Sequence, residues 1–330
     1  MNNSTTPALL IINLGSPKSP AVCDVRSYLR EFLMDRYVID LPWPLRWFLV
    51  YVAITPFRAP QSAEKYAMIW SPQTESPLLH NSKQFTEKLQ RQLNQSGDGL
   101  RVQLAMRYGE PDLRATLHEL LNHKQLYVMP VYPQYAESST KSALVEVRRI
   151  LRKFKFKGEI FECRGFSQHP GFISAVSENI ALEIERFQPD YLLLSYHGLP
   201  IRQAGTYRDQ CFATSEAITD NLVARGAWPK EKITVGFQSR LNNRWIQPYS
   251  DYFYRTLPAR GVRRLLVACP SFVADCLETL EEVAIRGRDE FRAHGGEELR
   301  LAPCLNDSPG WVKAAADIFC DSNYWTAHKL

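Results

Sequence analysis

A chain of 330 residues, 45% hydrophobic and 23% charged, is long enough for two domains of ordinary size, each with its own core. Its formal net charge of +5 suits an anionic small molecule or anionic lipid, and no lysine/arginine block is dense enough for nucleic acid. With no low-complexity tract and no uninterrupted apolar run of about 18 residues, a disordered chain and a membrane-spanning helix are both excluded.

The opening MNNSTTP has no basic region, and the apolar run after it is too short for a signal peptide. That run begins a series of short apolar stretches alternating with amphipathic patterns, which predicts α/β architecture with parallel sheets. Strands are predicted over 8–14, 101–107, 126–131 and 159–163, then over 191–196, 233–237, 264–269 and 299–304. Helices fall between them, among others over 81–93, 112–121, 139–154 and 170–186. The two halves resemble each other weakly: INLGSP parallels SYHGLP, AMRYG parallels GFQSR, and MPVYPQYAESST parallels CPSFVADCLETL. The expected fold is two Rossmann-like lobes, each a four-stranded parallel sheet flanked by helices, facing a shared cleft. The first lobe spans 1–170, the second 171–308, and a helix over 309–330 packs back.

The first half carries extra length over 18–80, including LPWPLRWFLVYVAITPF (41–57), with Arg46 its single charge beside Trp43, Trp47, Phe48, Tyr51 and Phe57. Pro42, Pro44 and Pro56 argue against one long helix there. The segment is an apolar helix packed on the core, an aromatic lip over a flat ligand, or a surface dipping into a bilayer interface. The seven cysteines are scattered with no CxxC pair, which indicates neither a disulfide framework nor a structural zinc site and fits a reducing cytoplasm.

In YLLLSYHGLP a buried-strand pattern stops at His197-Gly198, where open parallel sheets place their chemistry. His197 is either a reactive imidazole, with the glycine leaving room for a ligand, or an ordinary histidine in a strand-to-loop turn. In PSFVADCLETLEE, Asp275, Glu278 and Glu282 at i, i+3, i+7 share one face of a regular helix. Stacked carboxylates suit holding a cation or passing protons; the alternative is a solvated acidic face. Arg107 and Tyr108 close the second strand, Arg58 follows the aromatic segment, and Tyr66 and Ser76 come after it. Arginines near an apolar lip suit carboxylates at the edge of an apolar ligand; taken alone, each reads as a surface or capping residue.

At SYHGLP together with PSFVADCLETLEE the sequence resembles the ferrochelatase family, enzymes that insert Fe(II) into a porphyrin. INLGSP, RSYLREFLMDR, Ser76-Pro77-Leu78, AMRYG, YPQY, FQSR and CLETL extend the resemblance along nearly the whole chain in order. The resemblance implies a chelatase-like fold around a porphyrin, with His197 accepting pyrrole protons, Glu278 as its acidic counterpart, and Asp275 and Glu282 extending a carboxylate path for metal or protons. It implies that Arg58, Tyr66 and Ser76 hold propionates and that Leu14, Arg107, Tyr132, Trp245 and Phe272 line the ring, with Tyr108 beside them. The family helix bearing the acids tends to hold a π-bulge.

An imidazole changes charge near neutral pH, which suits it to removing the two N–H protons that the dication replaces. The resemblance implies protoporphyrin IX and Fe(II) as substrates, no nucleic-acid partner, a monomer, and a cytoplasmic location with 41–57 as a peripheral contact at the inner membrane. Glu137 stands where cluster-bearing members carry a cysteine, and the tail offers only Cys320 after Cys304, so no iron–sulfur cofactor is expected. Coproporphyrin III as substrate, another metal, or a porphyrin carrier without turnover stay open as alternatives. The chain departs from the family pattern at Cys276, often His; at Glu75, usually Gly; in the short loop IRQAGTY; and in LNNRW before Ile246.

Overall fold

The computed structural model describes residues 6–96 and 99–329. It forms two compact units, Met1–Gly165 with Ala316–Leu330, and Phe166–Ala315. In chain order the strands are β1 (Ala8–Asn13), β2 (Arg101–Met106), β3 (Gln125–Pro130), β4 (Glu159–Cys163), β5 (Tyr191–His197), β6 (Ile233–Gln238), β7 (Arg264–Ala268), β8 (Glu298–Leu301) and β9 (Trp325–His328).

In the first unit the sheet order is β2-β1-β3-β4-β9. The central strand β1 is buried along its whole length, as its unbroken apolar run requires of a strand covered on both faces. Leu10, Ile12, Leu117, Val128, Val147 and Ile160 meet in the core on one side of this sheet. The four expected parallel strands are all present, but β9 adds a fifth, antiparallel to β4. The predicted closing helix ends at Cys320. Beyond it Trp325 turns its indole N–H back to the carbonyls of Ile318 and Phe319, both at 3.1 Å, and its ring meets Tyr127 edge-on at 4.9 Å. Four residues are too few for a two-residue alternation to stand out beside a strong helix.

The aromatic segment departs from expectation in two ways. Trp43–Phe48 is α-helical, Leu49–Ile54 is a π-helical turn, and Thr55–Ile69 is α-helical again, so the helical path runs on through the prolines. Pro44 sits in a first turn, where no ladder bond is lost. Pro56 follows a residue whose N–H already reaches back five positions, from Thr55 to Val50, so the wider turn absorbs the missing donor. The side chains are also inverted. Trp43 is 62% exposed and Phe57 70%, while Arg46 turns inward and donates to the carbonyls of Ile39 and Leu41. A helix packed on the core by its aromatic face is therefore ruled out. Among the described residues no helix is long and apolar enough to cross a membrane.

In the second unit the sheet order is β6-β5-β7-β8, all parallel. Leu193, Leu265, Val267, Val283, Phe291 and Leu299 fill one face. Trp311 is fully buried against Phe166 and Phe172, with centroids at 5.3 and 6.1 Å. The order in which successive strands are laid down reverses between β5 and β7, the switch point at which open α/β sheets bind ligands. Both units repeat this arrangement, with β1 and β3 as the matching pair in the first.

Five cysteines are buried and two, Cys23 and Cys320, are exposed. Burial pushes the Cys163 thiol up to about 11 and raises the others further, so their thiolates are scarce at neutral pH. A thiol-specific chromogenic reagent should label Cys23 and Cys320 rapidly in the native protein and the remainder only after unfolding; rapid labelling of Cys276 in the folded protein would contradict this packing.

Candidate active site

His197 is the last residue of β5, at the carboxyl end of the switch point. Its backbone is clamped from both sides. The N–H donates to Ser271 Oγ at 3.2 Å, and the carbonyl accepts from Tyr207 Oη at 2.9 Å. These bonds spend the main chain and leave the half-exposed imidazole available, with its ring edge-on to Phe272 at 6.2 Å. Gly198 has a different purpose from the one expected. A Cβ there would lie 2.6 Å from the Gln238 carbonyl oxygen and 3.3 Å from the Trp245 ring, so the glycine admits the neighbouring strand and an indole. The loops after β5 and β6 are stitched together, Ile246 N–H to Leu199 O and Ile201 N–H to Arg244 O, both at 2.9 Å. The two segments that depart from the family pattern thus hold each other and carry the half-buried Trp245.

The acidic residues do not form one helical stripe. The helix starts only at Leu277, after Cys276 as its cap, and becomes π-helical over Leu280–Gly287. The regular i, i+3, i+7 spacing therefore fails at both ends: Asp275 precedes the helix, and the π turn alters the angle between later residues. Asp275 is buried and faces inward. Its carboxylate accepts from Thr279 Oγ1 (3.1 Å), Cys304 N–H (3.2 Å) and Asn306 Nδ2 (2.8 Å). Glu282 accepts from the Ser239 N–H and Oγ at 2.7 and 2.6 Å, with Arg286 at 3.8 Å. Glu278 remains partly exposed and touches the Cys276 thiol, which burial first and this carboxylate second push well above the usual thiol range. Among the described residues no group of three or more His, Cys, Asp or Glu side chains is arranged to hold a metal ion. Asp275→Ala should cost roughly 2–4 kcal/mol of stability, because two buried donors and one partly buried donor lose their acceptor. A chemical denaturation series checks this, and an unchanged midpoint would refute the structural role given to Asp275.

In the first unit the predicted residues separate into buried and accessible ones. Tyr108 is 1% exposed and donates to Asp35 Oδ2 at 2.8 Å, so it is a core residue and not a ligand contact. Arg107 donates to Asp35 at 2.5 Å and to Ser142 Oγ at 2.9 Å and lies 4.5 Å over the Tyr108 ring. Its charge is already neutralised by Asp35, which also accepts from Ser142. Ser76 is 3% exposed and caps the helix Pro77–Leu93 through the Leu79 N–H, so its hydroxyl serves the backbone. Glu75 before it has φ +58°, the left-handed region that favours glycine, which gives a physical reason for the glycine usual there. Tyr66 is buried edge-on to Tyr28 and Trp70. Tyr132 is half-buried, and its hydroxyl oxygen lies inside the protein without a hydrogen-bond partner. Leu14 is half-buried and Arg58 exposed. Of the predicted residues in this unit, Arg58 is exposed and Leu14, Arg107 and Tyr132 are partly so, with the Arg107 charge committed to Asp35.

Sequence reasoning missed Tyr207, Ser271, Ser195 and Gln238, which position the predicted groups. FQSR was visible as a motif, but the partners of Gln238 lie 31 to 43 residues away, beyond any local pattern.

A family model described as Ferrochelatase matches residues 6–323. The chain is 42% identical over 340 residues to the ferrochelatase of Pseudomonas fluorescens (strain Pf-5), covering 94% of this chain and 96% of that protein. It is 41% identical over 344 residues to that of Azotobacter vinelandii, covering 95% and 98%. Among solved structures, SirB from Bacillus subtilis with Fe3+ superposes with a TM-score of 0.56 at 10% identity, over 95% of this chain and 94% of that one. CbiX, the terminal enzyme for biosynthesis of siroheme in denitrifying bacteria, gives a TM-score of 0.54 at 13% identity, over 96% and 99%.

Proposed function

Since the chain belongs to the ferrochelatase family, we propose that it inserts Fe(II) into protoporphyrin IX, releasing two protons and giving protohaem. Membership makes the chain an enzyme, a metal chelatase. The observation that carries the assignment of residues is His197, an imidazole left available on a clamped backbone at the switch point, with an aromatic ring beside it.

Two pyrrole N–H protons must leave as the dication enters, and a flat ring hides both the protons and the nitrogen lone pairs. In this reading the ring is held saddled, which tilts the pyrroles out of plane, and His197 takes the protons as general base. Glu278, partly exposed and tied through its carbonyl to Gln238 opposite His197, supplies negative charge to the arriving iron or to the departing protons. Phe272, edge-on to His197, and the half-buried Trp245 give apolar contact to the macrocycle. Arg58, an exposed guanidinium, suits a carboxylate such as a propionate. Asp275, Ser76 and Tyr108 are left out of direct contact because their polar atoms are already committed.

The outward aromatic face of 41–57 supports peripheral contact with a membrane interface, where tryptophan is favoured. The proposed setting is a cytoplasmic monomer that touches the inner membrane through this face.

The test is anaerobic incubation of the purified chain with Fe(II) and either protoporphyrin IX or coproporphyrin III, followed by porphyrin fluorescence. Faster loss of emission with protoporphyrin supports the assignment. Preference for coproporphyrin would replace the substrate, and no loss with either would leave a binding protein.

A further inference from the structure

We propose that Gln238 is a positioning residue that fixes the spacing of His197 and Glu278, an inference that rests on the roles given to those two side chains. Gln238 ends β6, is 4% exposed, and lies opposite His197 in the β5–β6 ladder. Its backbone carbonyl accepts from the Gly198 N–H at 2.8 Å. Its side-chain Oε1 accepts from Ser195 Oγ at 2.7 Å and from the Cys269 thiol at 3.6 Å, and its Nε2 donates to the Glu278 carbonyl at 2.7 Å. Gln238 therefore holds β5 on both sides of His197, at Gly198 through its backbone carbonyl and at Ser195 through its amide, and the same amide ties in Cys269 just after β7 and the start of the helix bearing Glu278.

The orientation of the amide is dictated by its partners. A carbonyl can only accept, so Nε2 must face Glu278. Oε1 then takes the Ser195 hydroxyl, which is itself tied to Ser250 Oγ at 2.7 Å. Ser195 and Ser250 are 0% and 1% exposed, so water cannot substitute for either. The Glu278 carbonyl sits where the helix passes from its α turn, Leu277–Thr279, into its π turn, Leu280–Gly287. Backbone bonding is changing partner at that point, and an outside donor sets how the turn is rotated and where the Glu278 carboxylate points. Ser239 holds the next turn through Glu282, so the end of β6 grips the helix at two successive points.

The experiment compares Gln238→Leu and Gln238→Glu with wild type and with His197→Ala. It measures thermal midpoint, porphyrin affinity, and kcat and KM for iron insertion across pH. Gln238→Leu is expected to lower kcat about 10²-fold at every pH while KM for porphyrin holds, the size of effect that misplacing a catalytic group by an ångström produces. Gln238→Glu is expected to match it at high pH and to recover, relative to wild type, as pH falls. A protonated carboxyl can again donate to the Glu278 carbonyl while accepting from Ser195, whereas the ionised form presents only acceptors. A purely structural role would move the thermal midpoint without that recovery.

Wild-type kcat in Gln238→Leu, or equal losses in both variants with no recovery at low pH, would overturn the proposal. If Gln238→Leu does not fold, the pH profile of Gln238→Glu decides alone. If His197→Ala turns over at the wild-type rate, the catalytic reading fails and this inference with it. If His197→Ala is inactive while both Gln238 variants behave as wild type, only this inference fails.

Discussion

Replacing His197 with alanine is expected to lower kcat for iron insertion by about 10²–10⁴-fold, the range that removal of a general base produces, with porphyrin affinity close to wild type. The separation of the two effects follows from the site. Among the described residues the contacts fixing β5 at its end are made by the backbone of His197, to Ser271 and from Tyr207, and not by its imidazole. Both survive truncation. The apolar contact with a macrocycle proposed for Phe272 and Trp245 is left in place as well. Porphyrin titration by fluorescence and turnover with Fe(II) check the two halves independently. Turnover near the wild-type rate would remove His197 from the mechanism, and loss of porphyrin binding would recast it as a binding residue.

The second large effect is expected at Glu278. Exchange for glutamine keeps the shape, and it leaves the main-chain carbonyl bonded to Gln238. What is lost is one negative charge beside Cys276. The variant should fold with an unchanged thermal midpoint and lose about 10²-fold in kcat, an effect placed between general acid–base and electrostatic contributions. Glu282→Gln supplies the contrast. Its carboxylate is spent on Ser239 and paired with Arg286, so the substitution should lower stability more than turnover. Equal losses of kcat at both positions would restore the acidic path that the sequence pattern suggested. Thiol accessibility gives a third readout: with the Glu278 charge gone the Cys276 thiol should titrate lower, yet burial, the larger cause of its rise, remains and keeps it slow to label.

The strands were legible because central strands buried on both faces need unbroken apolar runs, as in 8–12 and 191–194, and the shorter, mixed stretches of the other six recur between amphipathic patterns. His197 was legible for a related reason, since a run that stops at a histidine puts that histidine at a strand end. Asp275 was misread because helical spacing counts residues from a helix that does not begin until Leu277 and does not stay regular. Arg46 and the tryptophans beside it were misread because hydrophobicity says which side chains are apolar and not which way they face. Ser76 and Tyr108 match the family motifs, yet their hydroxyls serve a helix cap and a buried carboxylate, uses that a motif does not distinguish from ligand contact. The Gln238 network was invisible because each of its bonds joins residues far apart in the chain.

Proton release tests the central claim most directly. In weakly buffered anaerobic solution, a pH indicator and porphyrin fluorescence can be followed together after Fe(II) is added to the enzyme with protoporphyrin. Insertion predicts two protons released for each porphyrin whose emission is lost. Loss of emission without proton release would mean that the chain binds porphyrin and iron without joining them.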